Sequence, residues 1–166
     1  MDWAKSESNF HRRRLSAAPL SSPAPPQLSN PKNGLPMPLE FLGNPPLASD
    51  RQVRPFSPAV RAGDFVYVSG QVPADDKGEI VTGGIEAQTR QVFANIRSVL
   101  SLAGCTLEDV CKCTVWLDDA RDFGAFNRIY MEQFPGPKPA RSTTEARLMV
   151  DAKVEIEVVA WKPAAP

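Results

Sequence analysis

Residues 153–160 read Lys-Val-Glu-Ile-Glu-Val-Val-Ala, an alternation of apolar and polar side chains with a period of two. That period is a strand's, and no helix can carry it on one face. Val154, Ile156, Val158 and Ala160 turn to one side, Glu155, Glu157 and Val159 to the other. A strand with one greasy flank needs other elements to cover it, so this segment demands a sheet with a core built on it. The segment before it alternates too. Arg141, Thr143, Glu145 and Arg147 share one face, and Ser142, Thr144, Ala146 and Leu148 the other. If the two strands are neighbours, a guanidinium and a carboxylate meet on a largely apolar sheet. A planar guanidinium is shaped to grip a carboxylate through two parallel hydrogen bonds.

The elements that cover the sheet lie upstream. Phe65-Val66-Tyr67-Val68 is a short β-rich run after the turn at Ala62-Gly63-Asp64, and it stops at Ser69-Gly70-Gln71. From Ile85 the apolar positions 85, 92, 93, 96, 99, 100 and 103 form a 3.6-period stripe that ends at Gly104, a natural helix-terminating glycine. Thr106-Leu107-Glu108-Asp109 is a capped corner. Val110 to Leu117 is a buried strand. Asp118-Asp119 opens a second helix carrying Phe123, Phe126, Asn127, Tyr130, Met131 and Phe134, and Pro135-Gly136-Pro137 ends it. The order predicts an α+β domain, a mixed sheet with both helices on one face.

Proline sets the boundary of that domain. Nine of the 17 prolines fall in the first 50 residues, at 19, 23, 25, 26, 31, 36, 38, 45 and 46. Such a stretch offers few apolar groups against the entropy of ordering it. Residues 1–48 are therefore expected to be a disordered extension and 49–166 the folded unit. Arg12-Arg13-Arg14 gives the extension a faint transit-peptide character, which Asp2, Glu7 and the prolines oppose.

Charge narrows the partners. Nineteen basic side chains balance nineteen acidic ones, which argues against nucleic acid or an anionic membrane as partner. No apolar run approaches the roughly 20 residues of a membrane-spanning helix. Cys105, Cys111 and Cys113 are an odd set, pointing to a reducing, cytoplasmic setting. Cys111 and Cys113 are expected on one strand face as buried thiols. A zinc site is not expected, since the single histidine, His11, is far from them.

Several motifs in order resemble the Rid family, the YjgF-type reactive intermediate deaminases. They are Phe56-Ser57-Pro58-Ala59-Val60, then Val66-Tyr67-Val68-Ser69-Gly70-Gln71-Val72-Pro73. Ala87-Gln88-Thr89-Arg90-Gln91-Val92 with Asn95-Ile96 comes next, then Phe126-Asn127. Pro139-Ala140-Arg141-Ser142-Thr143 and Val154-Glu155-Ile156-Glu157 complete the set, and the match spans Pro55 to Lys162. The resemblance implies a chorismate-mutase-like subunit that forms a homotrimer around a central barrel, with three sites in the clefts between subunits. It also implies a cofactor-free hydrolysis of enamines and imines, such as 2-aminoacrylate, to 2-keto acids and ammonia. Arg141 falls on the family's carboxylate-binding arginine and Glu155 near the glutamate that positions water, with Glu157 two residues on facing the same side. Gly70, Asn127 and Thr143 fall on positions lining the cleft. Phe56 stands where many members have tyrosine, and Thr143 where many have cysteine. The segment 145–151 is one residue shorter than usual.

Alternatives sit beside that implication. Arg141 paired with Glu145, Glu155 or Glu157 is a structural ion network, the commoner role of an arginine among carboxylates. Ser69-Gly70-Gln71 lacks the surroundings of a nucleophilic serine, since no domain histidine serves as its base. The aromatic residues of the second helix read as packing. A non-catalytic trimer, binding small acids or acting as a chaperone, is the competing function, and ribonuclease activity is a weaker third.

Overall fold

The computed structural model describes residues 39–43 and 55–163, and in it the alternating segments become strands of one six-stranded sheet. These are β1 (Leu39–Leu42), β2 (Ala59–Ala62), β3 (Phe65–Gln71), β4 (Val110–Leu117), β5 (Ala140–Glu145) and β6 (Val154–Trp161). The helices are α1 (Ile85–Ser101) and α2 (Phe123–Gln133). Strand order is β1-β2-β3-β6-β4-β5. Neighbours run antiparallel except β4 and β5, which are parallel, as a strand pair joined by a crossover helix must be. That crossover is α2.

Both helices pack on one face of the sheet, the arrangement expected from the order of elements. Val92, Phe93, Ile96 and Leu100 of α1 and Phe126 of α2 have no exposed surface, nor do Val66, Cys113, Val115, Val154, Ile156 and Ala160 beneath them. The 3.6-period stripe of α1 thus meets the period-two flanks of β3, β4 and β6, and burial of these side chains drives the two layers together. Gly104 follows α1 with φ +65°, the left-handed conformation that glycine adopts without strain. The Thr106 hydroxyl accepts the Glu108 N–H, and Asp109 accepts the Thr106 N–H at 2.8 Å, closing the short turn before β4. Buried Gln88 is an addition the periodicity gave no sign of. Its amide donates to the Val81 carbonyl at 3.1 Å and accepts the Lys153 N–H at 2.7 Å, tying two loops to α1.

Three expectations are corrected. Residues 39–42, placed within the disordered extension, form the edge strand β1, paired with β2 and braced by Glu40 against Arg61 at 3.5 Å. Leu39-Glu40-Phe41-Leu42 falls between prolines, and an edge strand needs only one row of hydrogen bonds; the rest of 1–48 lies outside the described residues. Cys111 and Cys113 do not share a face. The register against β6 shifts between Val110 and Lys112, so Cys111 is the extra residue of a bulge and is exposed, while Cys113 is buried. The run through Arg147 ends as a strand at Glu145. The condition under which the arginine and the glutamate would meet on adjacent strands is not met, because β4 lies between β5 and β6.

Candidate functional site

Strand β5 is the sheet's edge, and its register against β4 fixes where its side chains go. Arg141 stands beside Cys113, Thr143 beside Val115 and Glu145 beside Leu117. Cys113, Val115 and Leu117 are buried under the helices, so Arg141, Thr143 and Glu145 lie on the helix side, next to α2. There the Arg141 guanidinium carbon is 4.4 Å from the ring centre of Tyr130, 5.5 Å from Phe126 and 5.7 Å from Phe123. Positions 123, 126, 127 and 130 are spaced i, i+3, i+4 and i+7, one face of a helix. Asn127 therefore shares the face that carries the rings, and its side chain makes no hydrogen bond among the described residues.

No carboxylate pairs with Arg141 among the described residues. Glu145, a candidate partner in the sequence, instead accepts the Ala120 N–H at 3.3 Å. The structural ion network is thus not formed at Arg141. Two hydroxyls near it, Tyr130 Oη and Thr143 Oγ1, are buried and make no hydrogen bond. The Tyr130 hydroxyl lies against the Cys113 thiol without meeting hydrogen-bond geometry. Burial pushes the Tyr130 phenol up, with Cys113 adding to the rise and Arg141 opposing it. Burial also pushes the Cys113 thiol up, against the pull of Tyr130 and Arg141. Both groups stay neutral, so neither supplies an anion to the guanidinium.

Glu155 belongs to a different surface. It stands opposite Trp116 in the β4–β6 register, one position out of phase with the buried Ile156 and Val154, so it faces away from the helices. Its carboxylate lies across Gly70. A Cβ on that glycine would be 2.1 Å from Glu155 Oε1, so only glycine leaves this space open. Gly70 sits where the β3–β6 register shifts between Val68 and Gln71. Next to it, the Ser69 hydroxyl donates to the Ser57 carbonyl at 2.7 Å, and the Ser69 N–H to the Pro58 carbonyl at 3.0 Å. These bonds hold the segment carrying the half-exposed Phe56 beside Gly70. Burial raises the Glu155 pKa, and the nearby Glu157 charge raises it further.

The expected residues therefore fall into two groups, Arg141, Asn127 and Thr143 on the helix face and Gly70 and Glu155 on the other, with the segment that carries Phe56 bonded to Ser69 beside Gly70. Within one chain the sheet separates them. Sequence reasoning missed the seat of Arg141, having taken Phe123 and Tyr130 as packing alone; the clue was an asparagine embedded in an aromatic helix face. A cleft of about 790 Å³ near Arg97, Leu107, Gln133 and Phe134 contains none of these six residues. The cleft offers room, whereas the Arg141 guanidinium, which no carboxylate meets among the described residues, offers the chemistry of a candidate site. No cluster of three metal-ligating side chains occurs among the described residues, and no helix there is long and apolar enough to cross a membrane.

Fold and candidate site together define a small α+β subunit with a ring-supported arginine on its edge strand and a carboxylate on the opposite face of the sheet. The chain belongs to the endoribonuclease L-PSP family, the Rid or YjgF-type family of the resemblance above, whose model matches residues 48–162. A RutC family protein of Pyrococcus horikoshii is 47% identical over 114 residues, 68% of this chain and 90% of that one. The mouse 2-iminobutanoate/2-iminopropanoate deaminase is 40% identical over 110 residues, 65% of this chain and 82% of that one. The crystal structure of yeast Mmf1 superposes with a TM-score of 0.67 at 33% identity, covering 75% of this chain and 99% of that one.

Proposed function

We propose that this chain is a cofactor-free hydrolase of small 2-imino and 2-enamino acids, releasing 2-keto acids and ammonia. In this reading Arg141 of one protomer and Glu155 of its neighbour meet in the cleft of a homotrimer. The sheet face opposite the helices, which no other described element covers, supports that assembly. Tyr67 and Trp161 are each 50% exposed there and Phe65 is 42% exposed, with Phe65 opposite Trp161 and Tyr67 opposite Val159. Contiguous aromatic surface of this kind is ordinarily buried by a partner.

The chemistry is short. The enamine tautomerises to its imine, and Arg141 holds the carboxylate by two N–H donors, with Asn127 and Thr143 lining that end. Glu155 accepts a proton from water as the water's oxygen bonds to the imine carbon. Glu155 returns that proton to nitrogen to give the carbinolamine, then carries the hydroxyl's proton to the same nitrogen as the C–N bond breaks, so that ammonia departs and the hydroxyl becomes the keto group. A carboxylate with a raised pKa suits both directions of that transfer. Gly70 makes room for the carboxylate and Phe56 borders it.

The observation that carries the reading is the guanidinium of Arg141, unpaired among the described residues and supported by rings rather than acids. The test couples the protein to a dehydratase that releases 2-aminoacrylate and follows keto-acid formation. Wild type should outpace spontaneous hydrolysis, and Arg141→Ala should lose about a hundredfold or more in rate. Spontaneous rates with wild type, or full acceleration by Arg141→Ala, would end the proposal. A non-catalytic trimer using the same clefts would bind a 2-keto acid yet leave hydrolysis unchanged, so the assay separates the two.

A further inference from the structure

Four arginines of the described chain are held by acids: Arg61 by Glu40, Arg90 by Glu132, Arg121 by Asp119 and Arg128 by Glu86. Arg141 is held differently. Its guanidinium carbon lies closest to Tyr130, 4.4 Å from the ring centre, and more than 1 Å further from Phe126 and Phe123. The Tyr130 ring is itself wedged, 5.9 Å from Phe93, 5.7 Å from Phe126 and 4.9 Å from Phe134, centre to centre. The platform under the cation is therefore rigid.

An acid and a ring hold an arginine to different effect. A carboxylate takes up N–H groups in the guanidinium plane and cancels the charge a substrate would use. A ring face attracts the cation through its quadrupole and occupies none of those donors. We propose that Tyr130 is the positioning residue of Arg141, its ring fixing the guanidinium plane so that the N–H fork stays free for a carboxylate. The ring performs this role and the hydroxyl does not, for Tyr130 Oη is buried without a hydrogen bond. Phe123, 43% exposed at the rim, contributes less. The inference rests on the proposed carboxylate-binding role of Arg141.

The test uses the full chain, with 2-oxobutanoate as the probe for calorimetric affinity and the coupled assay for KM and kcat. Tyr130→Leu should weaken affinity and raise KM about tenfold, with a smaller change in kcat, while Tyr130→Phe stays within about twofold of wild type. Phe123→Leu, which leaves the buried cluster intact, should weaken binding about two- to threefold, and it carries the test if Tyr130→Leu does not fold. Leu100→Ala, a core truncation in α1, should lower the melting temperature and leave affinity unchanged. Wild-type affinity in Tyr130→Leu overturns the inference. So does equal weakening by Tyr130→Phe, which would make the hydroxyl the contact, or by Leu100→Ala, which would make the effect general softening. If wild type binds the keto acid without accelerating hydrolysis, the deaminase reading falls and the inference stands on the affinities. Turnover with an unchanged KM in Tyr130→Leu does the reverse, and a wild type that neither binds nor turns over removes both.

Discussion

Replacing Gly70 by alanine should damage activity while sparing the fold. The new methyl would sit 2.1 Å from Glu155 Oε1 and 3.0 Å from its carboxyl carbon. Ordinary contact begins near 3.4 Å, so the carboxylate must retreat by more than about 1 Å. The obstruction is the end of a flexible side chain, and Gly70 is not among the positive-φ glycines, so the backbone needs no rearrangement. Stability should change by less than about 1 kcal/mol, since alanine also restricts the unfolded chain. A displacement of this size at the group proposed to position water corresponds to about a hundredfold in rate. In the coupled assay Gly70→Ala should lower kcat about ten- to a hundredfold, with an unchanged urea midpoint. The same change in a Glu155→Ala background should cost nothing further, because the displaced group is gone. Wild-type kcat in Gly70→Ala, or an equal loss in both backgrounds, refutes the reasoning.

Mixing two inactive proteins tests the divided site. Arg141→Ala and Glu155→Gln protomers, unfolded together and reassembled at equal amounts, should regain about a quarter of wild-type activity if each site draws on two neighbours; a site within one chain regains none. Glu155 also predicts a pH dependence of stability. Its folded pKa is raised, so its contribution is present below the ordinary carboxylate range and is lost as pH rises through the raised value. Glu155→Gln should therefore melt above wild type at neutral pH, with the gap closing in acid; a gap that persists in acid contradicts this. Glu157→Gln removes a charge that opposes Glu155 ionisation, so the acidic limb of the activity profile should move to lower pH. Gln88→Met strips partners from the Lys153 N–H and Val81 carbonyl. It should lower stability by about 2–4 kcal/mol in denaturant titrations.

Much of the architecture could be read from the chain alone. The apolar stripe starting at Ile85 locates α1, and Gly104 marks its end. Alternation in 154–160 gives β6 and the flank it buries, and Thr106 with Asp109 gives the capped turn. These are local matters, since a side chain's direction relative to its near neighbours follows from the backbone's own period. The candidate site is different. Alternation shows that Arg141 and Thr143 share a face and that Glu155 and Glu157 share one, but it cannot say whether the two faces are the same. Their relation is set by pairing, and only the insertion of β4 between β5 and β6 puts the arginine and the glutamate on opposite sides of the sheet. The bulge that exposes Cys111, the pairing that recruits Leu39–Leu42 and the ring beneath Arg141 were likewise decided by the tertiary structure. Each depends on a contact between segments distant in sequence, and a period within one segment carries no information about the partner it will meet.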